Sequence, residues 1–275
     1  MRYFVCALYE EAAPFIACYH LQKDPSLSSF QIFRNEDTAL IITRSGLLNS
    51  SIATTYLLSN IPPSTQDVIF NVGVCGTMDR TVPLKTPFYI HKITDAGSGF
   101  TYYPDILFRH PFKEQEITTV ARPLTSIQTE NRHSLIDMES SGFFAAASHF
   151  FQPHQIVLIK VVSDYCDDSS VSPVFIRQCI EGFLPSFQHW TELFSCFQEQ
   201  TATFDRPELD IQTISSNLKL SVTLQHELAQ LIHYYTLEHG ETEKLLEKLI
   251  QDSRHIKTKL EGKNYFEKLR HDIIS

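Results

Sequence analysis

The chain has 275 residues, 43% hydrophobic and 12% aromatic, which is too apolar for a disordered polymer and long enough for one large domain or a domain with an appendage. Its 23 basic and 32 acidic residues leave a net charge of -9, and no basic run marks a nucleic-acid surface, so no nucleic-acid partner is expected. Six cysteines, at 6, 18, 75, 166, 179 and 196, lack the close pairs of a zinc knuckle and the density of a disulfide scaffold, and read as reduced thiols.

The N-terminal run MRYFVCALYEE reaches two glutamates too early for a signal peptide. No apolar run approaches the ~18 residues of a membrane span, so no membrane contact and a cytoplasmic location are expected. Short apolar runs rich in branched and aromatic residues predict strands at Tyr3 to Leu8, Phe30 to Arg34, Ala39 to Arg44, Asp67 to Val72, Phe88 to Thr94, Glu116 to Ala121 and Ile156 to Ser163. Between them, helical spacing predicts helices over Glu11 to Tyr19, Leu48 to Leu58, Glu139 to Phe151 and Phe175 to Gln198. The first, fourth and last strands lack polar alternation and read as buried on both faces, the mark of an α/β sheet whose ligand crevice lies at the strand ends.

The last 75 residues differ in texture. All 13 prolines lie at or before Pro207, and the stretch after residue 200 carries 10 basic and 12 acidic residues. Helices are predicted over Val222 to His239 with Gly240 as a stop, over Glu241 to His255, and over Lys263 to Ile273. The division is therefore an α/β domain at 1 to 200 and a helical extension at 201 to 275, the latter packed for stability or serving as an oligomerisation arm, a lid over the α/β body or a surface for a protein partner.

Acidic residues follow three of the apolar runs: Glu10 and Glu11, Asp137 and Glu139, and Asp164. With the glycine-bearing NVGVCG at 71 to 76, this arrangement resembles the nucleoside phosphorylase and nucleosidase superfamily, nearest to the 5'-methylthioadenosine/S-adenosylhomocysteine nucleosidases and the futalosine hydrolases. The segments that carry the resemblance are ALYEEAAP, SGLLNSSIAT, NVGVCG, DMESSGFFAAA and VVSDYCDD, in that order over residues 1 to 200. It implies a three-layer α/β/α phosphorylase/hydrolase-like fold around a central mixed sheet, a homodimer, and a small-molecule nucleoside as substrate.

The resemblance also implies roles. Glu11 activates water against the anomeric carbon, Glu139 holds the ribose hydroxyls with Met138 lining the sugar pocket, and Asp164, steadied by Ser163, protonates N7 of the departing purine. Val72, Gly73 and Val74 would form a turn against the ligand, where the missing Cβ of Gly73 permits close approach. Phe100, Tyr102, Tyr103 and Phe108 are candidates to stack on the base or line a 5' pocket.

The chemistry makes independent sense. Breaking an N-glycosidic bond places positive charge on the ribose and negative charge on the base, so an ionised carboxylate and a proton donor must face one cleft. The first loop offers Tyr9, Glu10 and Glu11, which repel phosphate and favour water; Arg44 and Arg80 keep phosphorolysis as the alternative. A non-catalytic nucleoside-binding protein is the reading from another class. The twelve histidines form no HExxH, and His149 and His154 read as a helix end and its loop, so no metal is expected. No dinucleotide or P-loop spacing is present, so no cofactor is expected. Cys166 lacks a neighbouring His or Lys that would make it a nucleophile.

Overall fold

A computed structural model describes residues 1–107, 109–122, 134–167, 171–201, 206–239 and 242–274. The chain divides into two compact units, Met1–Phe194 and Ser195–Ser275. Among the described residues no helix is long and apolar enough to cross a membrane.

The first unit holds β1 (Arg2–Cys6), α1 (Tyr9–Cys18), β2 (Gln22–Lys23), β3 (Gln31–Arg34), β4 (Thr38–Ile42) and α2 (Leu47–Asn60). It continues with β5 (Val68–Thr77), β6 (Pro87–Asp95), β7 (Thr101–Tyr102), β8 (Lys113–Thr119), β9 (Leu135–Asp137), α3 (Ser140–Ala147), β10 (Ile156–Asp164) and α4 (Pro173–Thr201), the last running on into the second unit. One mixed sheet runs β10-β6-β8-β9-β5-β1-β4-β3-β2, and β10 also pairs β5, so five strands close into a ring. The β1–β4, β1–β5 and β5–β10 pairs are parallel. Parallel strands need covered faces. Ala53, Leu57 and Leu58 of α2 and Phe143, Phe144 and Ala147 of α3 cover one face. Ala12 and Phe15 of α1 and Cys179, Ile180, Phe183, Phe187 and Trp190 of α4 cover the other. This is the expected three-layer α/β/α arrangement.

Two departures from the predicted elements shape the site. β1 stops at Cys6 rather than Leu8, because the N–H groups of Ala7 and Leu8 donate to the Glu11 carboxylate instead of continuing the ladder. β5 runs straight through Val72, Gly73 and Val74, which therefore form strand and not the expected turn. β10 pairs with it from Ile69 to Gly76, and β9 takes up Gly76 and Thr77.

The second unit contains α5 (Arg206–Asn217), α6 (Val222–His239), α7 (Thr242–Ser253) and α8 (Lys259–Ile274). Ile214, Leu218, Leu228, Ile232, Leu246, Leu249 and Phe266 form its own apolar core. α5 has no counterpart among the predicted helices, and the predicted stop at Gly240 lies outside the described residues.

Candidate active site

The C-terminal ends of β1, β5, β9 and β10 open on a cleft of about 390 Å³, the strand-end position an open α/β sheet reserves for a ligand. It is lined by Glu11, Val74, Met138, Glu139, Ser163 and Asp164, and also by Asp137 and Cys166. The three separated acidic motifs thus meet at one place.

Glu11 sits in the first turn of α1, only 2% exposed. Its Oε2 accepts the N–H groups of Ala7 at 2.8 Å and Leu8 at 2.9 Å, and its Oε1 accepts that of Val74 at 2.8 Å. Burial, against the pull of these N–H groups and of nearby positive charge, pushes its carboxyl up to about 7. Gly73 makes this placement feasible, because a Cβ there would lie 2.7 Å from Glu11 Oε1. The glycine gives room to a protein carboxylate, a closer partner than the ligand for which sequence reasoning reserved it.

Glu139 follows β9 and stands immediately before α3, without a side-chain capping bond to it. Its Oε1 accepts Ser45 Oγ–H at 2.5 Å and Gly46 N–H at 2.8 Å, so the segment before α2 holds it from the opposite wall. Met138 lies half-buried beside it, and Ser45 Oγ approaches its Sδ at 3.7 Å. Asp164, at the end of β10, accepts Ser163 Oγ–H at 2.7 Å on Oδ2 and Cys166 N–H at 2.9 Å on Oδ1. Ser163 also approaches the Cys75 carbonyl at 3.2 Å, which ties the pair to β5. Burial, then the charges of Asp164 and Asp167, raise the Cys166 thiol to about 11, so it stays protonated and unsuited to nucleophilic attack.

Behind the cleft lies a group that sequence reasoning missed. Lys160, 2% exposed in the middle of β10, pairs with Asp137 Oδ2 at 2.9 Å. Asp137 also accepts Ser140 N–H at 3.0 Å, Ser140 Oγ–H at 2.6 Å and Thr119 Oγ1–H at 2.9 Å. Desolvation disfavours the lysine charge, but Asp137, Glu139 and Glu11 outweigh it and hold the ammonium above its ordinary range. The signal was a single lysine inside an apolar strand, IVLIKVV, where a charge is tolerated only when paired.

Phe100, Tyr102 and Tyr103 are not among the described residues that line the cleft. Phe100 is 66% exposed and Tyr103 61% exposed on the β6–β7 side, Tyr102 packs on Phe144 with ring centroids 5.3 Å apart, and Phe108 lies outside the described residues. His149 and His154 are exposed after α3 and in the short turn before β10. No arginine or lysine is among the described residues lining the cleft. Arg80 pairs with Asp167 at 3.0 Å, and Arg44, exposed and left-handed at φ 67, lines a separate cavity of about 760 Å³ with Lys23, Asn49 and the Ser28–Ser29 pair.

No family model and no curated protein matches the sequence. Solved structures share the fold of this chain, at identities of 14 to 20%. A 5'-methylthioadenosine nucleosidase of Arabidopsis thaliana in apo form superposes with a TM-score of 0.58 at 17% identity, over 70% of this chain and 95% of that one. A futalosine hydrolase of Helicobacter pylori gives 0.55 at 14%, over 67% and 95%. An MTAN variant of Chlamydia trachomatis bound to MTA gives 0.52 at 20%, over 68% and 97%. The matched share of this chain, 67 to 70%, is comparable in length to the Met1–Phe194 unit.

Proposed function

We propose that the protein hydrolyses the N-glycosidic bond of a purine nucleoside, of the 5'-modified adenosine type, releasing free base. The observation that carries this reading is the convergence of Glu11, Glu139 and Asp164 on one cleft, with Glu11 buried and raised to about 7. In the reaction, Glu139 binds the ribose hydroxyls. As the bond to the base breaks, its electron pair passes to the purine, and Asp164, as the general acid, supplies a proton to N7. Water adds to the positively charged anomeric carbon and gives its proton to the Glu11 carboxylate. The protons balance, one lost by Asp164 and one gained by Glu11.

Water is favoured over phosphate by what lines the cleft. Phosphate recognition needs cationic forks or free backbone N–H groups. The described lining offers no arginine or lysine, and the N–H of Val74 is already given to Glu11.

The test measures free base released from 5'-methylthioadenosine, S-adenosylhomocysteine, 5'-deoxyadenosine, aminofutalosine, adenosine and inosine, with and without phosphate. Release is expected to be phosphate-independent and to fall by about 10² to 10⁴ in Asp164→Asn, the range for loss of a general acid. Strict phosphate dependence would convert the reading to phosphorolysis. No release from any nucleoside by folded protein would refute it for these substrates.

A further inference from the structure

The Asp137–Lys160 pair is a buried ion pair that the proposed reaction leaves unused, and its lysine feels the charges of both Glu11 and Glu139. In the parallel β5–β10 ladder Lys160 is paired with Gly73, so the two residues face the same side of the sheet. That side is where Gly73 lacks a side chain and where the Glu11 carboxylate sits. Asp137, the direct partner of Lys160, is two residues before Glu139, and its Oδ2 also holds the first residue of α3. Lys160 is absent from the described cleft lining, so it acts from behind the site.

We propose that Lys160, clamped to Asp137, is the shared counter-ion of the carboxylate site: a positioning residue that fixes the turn presenting Glu139 and lets Glu11 and Glu139 carry charge side by side. The assignment rests on the hydrolase reading for its purpose and on the ion pair for its physics. Two carboxylates facing one cleft repel, and one of them would keep its proton without a compensating cation. The groups facing Glu11 are the Cys6 thiol on β1, the Ala7 and Leu8 N–H groups just after it, the Val74 N–H on β5, Lys160 on β10, and Glu139 ahead of α3. Lys160 is the cation among them. On its own side it also faces the Cys75 thiol of β5, whose burial raises it and leaves it neutral.

The experiment follows the Glu11 carboxyl directly, by carbon-13 resonance of glutamate-labelled full-length protein, with the signal assigned by its loss in Glu11→Gln. Lys160→Met is expected to raise the Glu11 titration midpoint by about one unit or more, and Lys160→Arg to keep it near the native value. A lone Asp137 left in the interior is itself destabilising, so the pair is also removed together as Asp137→Asn with Lys160→Met, a neutral replacement that buried ion pairs commonly tolerate. An unmoved midpoint in the folded double variant overturns the proposal, as does a midpoint in Lys160→Arg displaced as far as in Lys160→Met.

This readout needs no substrate, so it stands apart from the fate of the hydrolase reading. Where the native protein releases base, the acid limb of kcat/KM is expected to rise together with the carboxyl midpoint. A limb that stays in place while the carboxyl moves would remove Glu11 as the base and leave Lys160 as the counter-ion.

Discussion

At Glu11, burial and hydrogen bonding act against each other. Three backbone N–H groups favour the carboxylate, yet full desolvation prevails and the carboxyl rises from 4.5 to about 7. Below pH 4.5 both folded and unfolded chains hold the proton, and the group makes no contribution. As pH climbs to about 7 the unfolded chain ionises first, so stability falls; above 7 the loss is complete, on the order of 3 kcal/mol. The expected outcome has two parts. Urea unfolding should show the native protein losing stability from pH 5 to pH 8 relative to Glu11→Gln, by about 3 kcal/mol. If Glu11 accepts the proton of water, kcat/KM for base release should rise with pH to a plateau above an apparent value near 7. A flat profile across that range would assign the base elsewhere.

At the scale of elements, Glu139 joins two helices, since it precedes α3 and takes its hydrogen bonds from Ser45 and Gly46 ahead of α2. Ser45→Ala leaves the Gly46 bond and removes a hydrogen bond to a charged group, a loss expected to raise KM about tenfold with a smaller effect on kcat. Initial-rate kinetics on the substrate found by the panel would check it, and an unchanged KM would detach Glu139 from ribose binding. The carboxylates Glu11 and Asp164 were legible because each follows a strand long enough to show its apolar pattern, whereas Glu139 was legible through the DMESSGFFAAA segment. Elements fixed by distant pairing were not. β9 spans only three residues, too few for a period, and exists because β5 and β8 flank it. Gly73 reads locally as a break, but β10 pairs through it. The aromatic run around Phe100 reads as a ligand wall because composition reports apolar surface without its direction. α5 was hidden by polar residues such as Gln212, Thr213, Ser215, Ser216 and Asn217.

For the whole molecule, the described residues that line the cleft run from Ala7 to Val171, all within the first unit, while the second unit is organised around a core of its own. Chemistry and helical extension are therefore separable in energy if each core folds on its own contacts. Gly262 of α8 offers a way to load one core only. A Cβ at that position would lie 1.8 Å from the Leu218 carbonyl oxygen, closer than any side chain can approach, so α8 must shift away from the end of α5. Gly262→Val should destabilise the second unit by about 1–3 kcal/mol. Hydrogen exchange is expected to quicken across residues 206–274 while protection of β5 and β10 keeps its native value, and base release should stay within about twofold of the native rate. Loss of protection in the central strands together with the helices would instead show that the two cores unfold as one, and would make the extension part of what holds the carboxylates in place.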